Sequence, residues 1–183
     1  MIPDEVRRVL NEADCLYSRE VVEEAIDRLA TATAELLSDH NPLVLGVMNG
    51  AVVLLGGLLT RWSFPLHVDY LHATRYRGAT TGGDHLHWLA VPRTPLRDRT
   101  VVIVDDVLDG GITLSAICDY CREQGARDVI SIVLVNKANP DRDPAITVDH
   151  AALDAPNRYL FGYGMDYHDY LRNAPGIFAV RGT

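Results

Sequence analysis

The chain is predicted to fold as an α/β protein with a doubly wound parallel sheet, and three observations predict it. Short apolar runs rich in β-branched residues, at 43–48, 101–104 and 129–135, read as strands buried on both faces. Helical segments at 20–37, 52–61 and 113–124 alternate with them. The loops after the three strands, at 48–50, 105–113 and 136–137, carry the turn-forming and charged residues. In a parallel sheet these loops share one rim, where open α/β sheets place their ligands.

Each element has its own justification. Ser18 is a plausible N-cap for a helix over 20–37, in which Val21, Val22, Ile26, Leu29, Ala30, Leu36 and Leu37 keep helical spacing. Asp39-His40-Asn41-Pro42 ends it. A buried strand at 43–48 turns through Asn49-Gly50 into the helix at 52–61. Residues 66–71 read as strand. Residues 75–88 are rich in Gly and Thr and are expected to form a mobile loop or hairpin that closes over ligands. The strand at 101–104 leads to the helix at 113–124, closed by Gly125. After the strand at 129–135, Pro140, Asp141, Asp143 and Pro144 mark a surface loop. The tail alternates short strands, at 145–149, 159–163 and 177–180, with turns. This tail is expected to fold back as a cap, so that 1–183 form a single domain with 155–183 covering the site.

Composition narrows the function. The 183 residues suffice for one domain with a substantial core, and no apolar run approaches the ~20 residues of a membrane span. The N-terminus MIPDEVRRVL lacks the apolar core of a signal peptide, so the expected location is cytoplasmic, with no membrane partner. A net charge of −8 argues against a nucleic-acid partner, which needs a basic field. Cys15, Cys118 and Cys121 are too few for a disulfide framework. Cys118 and Cys121 form a CxxC within a predicted helix, away from the helix N-terminus where redox pairs sit.

The most informative stretch is VVIVDDVLDGGITL, 101–114. It places Asp105, Asp106 and Asp109 just past the end of a buried strand. Gly110 and Gly111 then let backbone N–H groups turn inward at the start of the next helix, making an anion cradle. On its own, Asp105-Asp106 reads as a solvated turn or as a pair accepting vicinal ribose hydroxyls, with or without a bridging Mg²⁺. Asp109 reads as a helix-dipole acid or as a general acid or base. Carboxylates that accept hydroxyls beside a phosphate nest suit a phosphorylated sugar. A Walker loop is absent, and the D-x-D-G-T register of phosphoaspartyl hydrolases fails because two residues separate Asp106 from Asp109.

The strand, the two acids, two apolar residues, Asp109 and the Gly110–Thr113 turn resemble the phosphoribosyl-pyrophosphate signature of type I phosphoribosyltransferases. VLVNK (133–137) and RYLFGYGMDYHDYLR (158–172) resemble the purine-binding strand and tail of the hypoxanthine-guanine branch. VMNG (47–50) resembles its pyrophosphate loop, and SREVVEEAIDRLA (18–30) also fits.

The resemblance implies a type I phosphoribosyltransferase fold with a small cap built from the chain ends. It also implies purine salvage, joining hypoxanthine or guanine to phosphoribosyl pyrophosphate. Asp105 and Asp106 would hold the ribose hydroxyls and order Mg²⁺. Asp109 would take the purine N7 proton. Gly110, Gly111, Ile112, Thr113 and Leu114 would bind the 5′-phosphate. Lys137 would donate to O6, Tyr159 would stack on the base, and Leu160 and Asp166 would meet the exocyclic edge. Asp166 would also help hold a second Mg²⁺. Met48, Asn49, Gly50, Arg75, Tyr76 and Arg172 would serve pyrophosphate. A homo-dimer or homo-tetramer is implied by the resemblance only.

Physical chemistry adds to this. Lysine is a donor only, so it suits the O6 acceptor of a 6-oxopurine and would leave the amino group of adenine unpaired. Taken singly, Lys137 also reads as a snorkelling surface lysine and Tyr159 as a core aromatic. The chain departs from the family pattern at Asn49, where a Lys is common. It departs again at Gly110, where a small hydroxyl residue is common, and at Arg75-Tyr76, where Ser-Tyr is common. Arg75 is the candidate to restore the charge that Asn49 lacks. The alternatives are a related enzyme for another base, such as xanthine, or a non-enzymatic nucleic-acid-binding regulator on the same scaffold.

Overall fold

A computed structural model describes residues 2–75 and 86–182, without the side chains of Arg75 and Leu86. The elements are α1 (Asp4–Glu12), β1 (Asp14–Ser18), α2 (Arg19–Leu37), β2 (Leu43–Val47), α3 (Val52–Leu59), β3 (His67–Arg75) and β4 (Leu86–Ala90), followed by β5 (Thr100–Leu108), α4 (Ile112–Glu123), β6 (Asp128–Ala138), β7 (His150–Pro156), β8 (Leu160–Phe161) and β9 (Gly176–Ala179). Six strands form the main sheet in the order β4-β3-β2-β5-β6-β7. All its pairings are parallel except β3 with β4 at the edge.

The alternation of buried side chains explains why the sheet is covered on both faces. Val44, Val102, Val104, Ile132 and Leu134 pack on one side with Ile26 and Leu29 of α2 and Leu54 and Leu58 of α3. Leu43, Leu45, Val101, Ile103 and Val133 pack on the other with Leu114, Ile117 and Cys121 of α4. This is the doubly wound arrangement that continuous apolar strands require. No helix among the described residues is long and apolar enough to cross a membrane.

A second, antiparallel sheet, β1-β9-β8, forms the cap. Both chain ends build it. Val6 and Val9 of α1 share a small core with Phe161, Tyr167 and Ala174 of the tail, and Tyr167 Oη donates to Glu5 at 2.8 Å. The sequence reading foresaw neither α1 nor β1.

Two further expectations are corrected, and a third is borne out at its ends. Residues 145–149 are not a strand; the edge strand is β7, five residues later. It pairs with β6 from Ile132↔His150 to Ala138↔Pro156, while Ile146 instead packs over Gly111. The hairpin reading of 75–88 holds at its ends, where Arg75 pairs with Leu86 as β3 and β4 run antiparallel; residues 76–85 between them, with Tyr76, lie outside the described residues. Asp105 and Asp106 do not follow the strand but lie inside β5. The β6 ladder continues past them (Asp105↔Val133, Leu108↔Asn136), whereas the β2 ladder stops at Gly46↔Val104. The acids therefore stand beyond the end of β2, facing the loop that follows it.

Candidate active site

The loops after β2, β5 and β6 do share one rim. After β2, the Met48–Asn49 peptide is cis, Met48 is half-buried and Asn49 is exposed. Gly50 lies against Asp106 so closely that a Cβ there would stand 2.6 Å from the carboxyl carbon. After β5, Gly111 is the N-cap of α4 in the left-handed region, φ 74°. A side chain at Gly111 would also collide with Ile146. The helix therefore begins at Ile112, and its N-terminus, the positive end of its dipole, points at this turn, which suits an anion. Leu114 turns its side chain into the core, so only its backbone is available to a ligand.

A cavity of about 330 Å³ opens beside these loops, lined by Asp106, Val107, Asp109, Lys137, Tyr159, Leu160, Met165 and Asp166. It brings together residues from β5, from β6 and from the tail. Lys137 is not a surface lysine: its side chain is 12% exposed and Nζ donates to Asp109 Oδ2 at 2.9 Å. Tyr159 is not a core aromatic. Its ring is exposed on the cavity wall, supported edge-on by Tyr167 at 5.5 Å and in a stacked arrangement by His168 at 6.4 Å.

Arg172 joins the tail to the acids. Its Nη1 donates to the Gly164 carbonyl at 2.7 Å and lies 4.0 Å from Asp106, and its Nη2 donates to Asp166 at 2.7 Å. The surroundings of Asp105 and Asp106 are nonetheless costly for two charges. Burial pushes the Asp105 carboxyl well above the usual range, and the neighbouring Asp106 charge adds to it. Burial raises Asp106 as well, against the opposing pull of Arg172. A buried carboxylate pair that favours holding protons is one a divalent cation would relieve. Among the described residues no cluster of three or more metal-ligating side chains is present. The adjacent oxygen donors of Asp105 and Asp106 fit Mg²⁺, which takes one or two carboxylates and completes its shell with water and substrate oxygens.

Sequence reasoning missed Asn139 and Arg142. Asn139 Nδ2 donates to Asp109 Oδ1 at 2.6 Å, and Arg142 Nη1 donates to the carbonyls of Leu108 and Asp109 at 3.1 and 3.3 Å. Both sit in or beside the segment read as a surface loop, and their one signal was proximity to Lys137. The Arg75 side chain and Tyr76 lie outside the described residues.

Residues 13–159 match the family model of the phosphoribosyl transferase domain. The chain belongs to this family. The matched phosphoribosyl transferase region carries all three rim loops, and the cap strands β8 and β9 follow it. The bifunctional protein TilS/HprT of Listeria innocua is 30% identical over 88% of the chain, which spans only 25% of that protein's length. The hypoxanthine-guanine-xanthine phosphoribosyltransferase of Tritrichomonas foetus is 28% identical over 95% of the chain and 91% of the relative. A solved hypoxanthine-guanine-xanthine phosphoribosyltransferase superposes with a TM-score of 0.80 at 25% identity, covering 92% of this chain and 94% of that one.

Proposed function

We propose that this phosphoribosyl transferase domain makes purine nucleoside monophosphates, transferring the phosphoribosyl group of phosphoribosyl pyrophosphate to hypoxanthine or guanine. The observation that carries the reading is the Asp109–Lys137 pair, set in one cavity with Tyr159 and flanked by Asp106. It offers a proton acceptor, a donor and a stacking face, which are the functions a 6-oxopurine requires. The names of the relatives agree with this substrate class.

In this reading Tyr159 stacks on the base, with Leu160 and Asp166 at its exocyclic edge. Lys137 donates to O6. Asp105 and Asp106 orient the ribose hydroxyls, and the turn from Gly110 to Leu114 holds the 5′-phosphate with backbone amides. The C1′–O bond to pyrophosphate breaks with oxocarbenium character, as in glycoside cleavage. N9 bonds to C1′ while N7–H passes its proton to Asp109. Met48, Asn49, Gly50 and Arg172 face the departing pyrophosphate, and Arg75 and Tyr76 are assigned there by resemblance. Mg²⁺, held by Asp105 and Asp106 and at a second position by Asp166, would supply neutralisation of the pyrophosphate charge.

Exposed Val68 and Tyr70 on β3, with Leu89 and Val91 at the β4 end, support a homo-dimer or homo-tetramer. Three free thiols suit a cytoplasmic setting. The test is an absorbance assay of hypoxanthine, guanine, xanthine and adenine, each with phosphoribosyl pyrophosphate and Mg²⁺. Turnover of the 6-oxopurines and not of adenine is expected; turnover of adenine alone, or of no base, would refute the reading. Xanthine is included because the Tritrichomonas foetus relative and the solved structure are named for it.

A further inference from the structure

The Asp109 carboxylate is gripped by two side-chain donors, one on each oxygen. Lys137 Nζ holds Oδ2 at 2.9 Å and Asn139 Nδ2 holds Oδ1 at 2.6 Å. The two donors differ in what else they can do. Lys137 lines the cavity on a flexible stem whose donors rotate, so it can turn to an acceptor on a bound base.

Asn139 has no such freedom. Its Oδ1 accepts the Asp141 N–H at 2.9 Å, so the amide nitrogen, and not the oxygen, faces Asp109. Its backbone is fixed on both sides: its N–H donates to the Lys137 carbonyl at 2.8 Å, and its carbonyl accepts from the Arg142 N–H at 3.3 Å. The Arg142 guanidinium then reaches back to the Leu108 and Asp109 carbonyls and to Asn136 Oδ1 at 3.0 Å. The turn after β6 thus braces the Asp109 loop through both side chain and backbone.

We infer that Asn139 is the positioning residue of the base: it anchors Oδ1 throughout, and Oδ2 becomes the proton-accepting oxygen when Lys137 moves from Asp109 to the purine O6. This inference rests on the proposed phosphoribosyl transfer. In the step, the N7–H bond breaks and an O–H bond forms at Oδ2. The N7–H electrons stay in the ring system as N9 bonds to C1′, and pyrophosphate leaves with the electrons of the C1′–O bond. The site supplies a base in Lys137's absence only if a second donor keeps the carboxylate from rotating, and Asn139 is the donor placed to do so.

The test is a double-mutant cycle. Asn139→Ala and Asn139→Leu are made in the native chain and in the Asp109→Asn background. Single-turnover rates with guanine are measured along with KM for phosphoribosyl pyrophosphate and Tm. In the native background the rate should fall about 10- to 100-fold, the loss of a hydrogen bond to a charged group. KM for phosphoribosyl pyrophosphate should stay within about twofold. In the Asp109→Asn background the same substitutions should change the rate by less than about threefold, because Asn139 acts only through that carboxylate.

An equal loss in both backgrounds would make Asn139 a general structural residue and overturn the inference, as would a native-background rate within about threefold of the unmodified protein. Leucine preserves the side-chain volume, so it decides the matter if the alanine variant is unstable. A chain that forms no nucleotide from any purine before mutation refutes the functional reading itself, and the inference falls with it.

Discussion

Gly50 and Gly164 meet edge to edge beside Asp106. The carbonyl oxygen of Gly50 occupies the space that a Cβ on Gly164 would need, and the Asp106 carboxylate occupies the space of a Cβ on Gly50. The loop after β2, the end of β5 and the tail therefore close on one another through two missing side chains. Asp106 is held between backbones, and Arg172 reaches the same place by donating to the Gly164 carbonyl.

Alanine at these two positions should have distinguishable effects. Gly50→Ala pushes directly on the Asp106 carboxyl and should lower kcat/KM for phosphoribosyl pyrophosphate by about 10²-fold, the usual cost of an ångström's misplacement at a reacting centre. Gly164→Ala must also hold alanine at φ 108° against a carbonyl, and should destabilise the fold by at least about 2 kcal/mol in urea titration. Gly56→Ala is the control. It sits in α3 with open space around its Cβ and should stabilise the protein by roughly 0.5–1 kcal/mol. Gly50→Ala with native kcat/KM would show that Asp106 does not depend on this contact.

Asp109→Asn should lower kcat by roughly 10²–10⁴, the usual weight of a general base, while substrate KM values change little. Asparagine keeps an acceptor oxygen for the Asn139 or Lys137 donor, so the loop should stay in place. Near-native turnover of this variant would remove Asp109 from the chemistry.

Lys137→Ala should weaken use of guanine and hypoxanthine by about 1.5–3 kcal/mol in kcat/KM, the scale of a hydrogen bond to a charged group. The basis is a largely buried ammonium on the cavity wall beside Asp109. Equal kcat/KM in the variant would mean that Lys137 serves only to pair with Asp109.

The parts of the fold that could be read in the chain are those whose signal is local. β2, β5 and β6 are continuous apolar runs, and α2 and α4 carry an apolar stripe, so their burial is written in consecutive residues. α1 was not legible because its buried face consists of Val6 and Val9 alone, which find partners only in Phe161, Tyr167 and Ala174 at the far end of the chain. β7 was displaced by five residues because its burial alternates weakly and its register comes from β6. The site divides in the same way. Asp105, Asp106, Asp109 and the glycine turn form one sequence motif. Asn139 lies 30 residues from the carboxylate it holds, in a segment whose Pro and Asp content signals only a surface loop.

The CxxC pair should prove inert. Burial pushes the Cys118 thiol up to about 11 and the Cys121 thiol up to about 12, so neither holds appreciable thiolate near neutrality. Cys15 is exposed. At pH 8 a disulfide reagent should titrate one thiol per chain quickly and the other two only in denaturant. Fast reaction of all three would show that the helix carrying them opens readily.

Asp105→Asn should make the protein more stable and less active. Burial and the Asp106 charge both raise the Asp105 carboxyl, so its ionised form is held at a cost. The sign follows from linkage. A carboxyl raised in the folded state contributes stability that is present below its ordinary range and is lost as pH rises from that range through the raised one. Across that window the unliganded native protein progressively loses that contribution. Asparagine removes the charge yet keeps an oxygen for the Asp106 N–H, which Asp105 Oδ1 accepts at 2.9 Å. The variant should gain about 1–2 kcal/mol at pH 7.5, or roughly 2–8 °C in Tm for a chain of this size. The gain should shrink toward pH 4, where the native carboxyl is protonated. Phosphoribosyl transfer should fall in the same variant, because the pair that would engage the ribose and Mg²⁺ has lost half its charge. Scanning calorimetry at the two pH values decides it: a variant less stable than native at pH 7.5 would mean that the Asp105 charge is compensated in the folded chain, and that the pair is not poised for a cation.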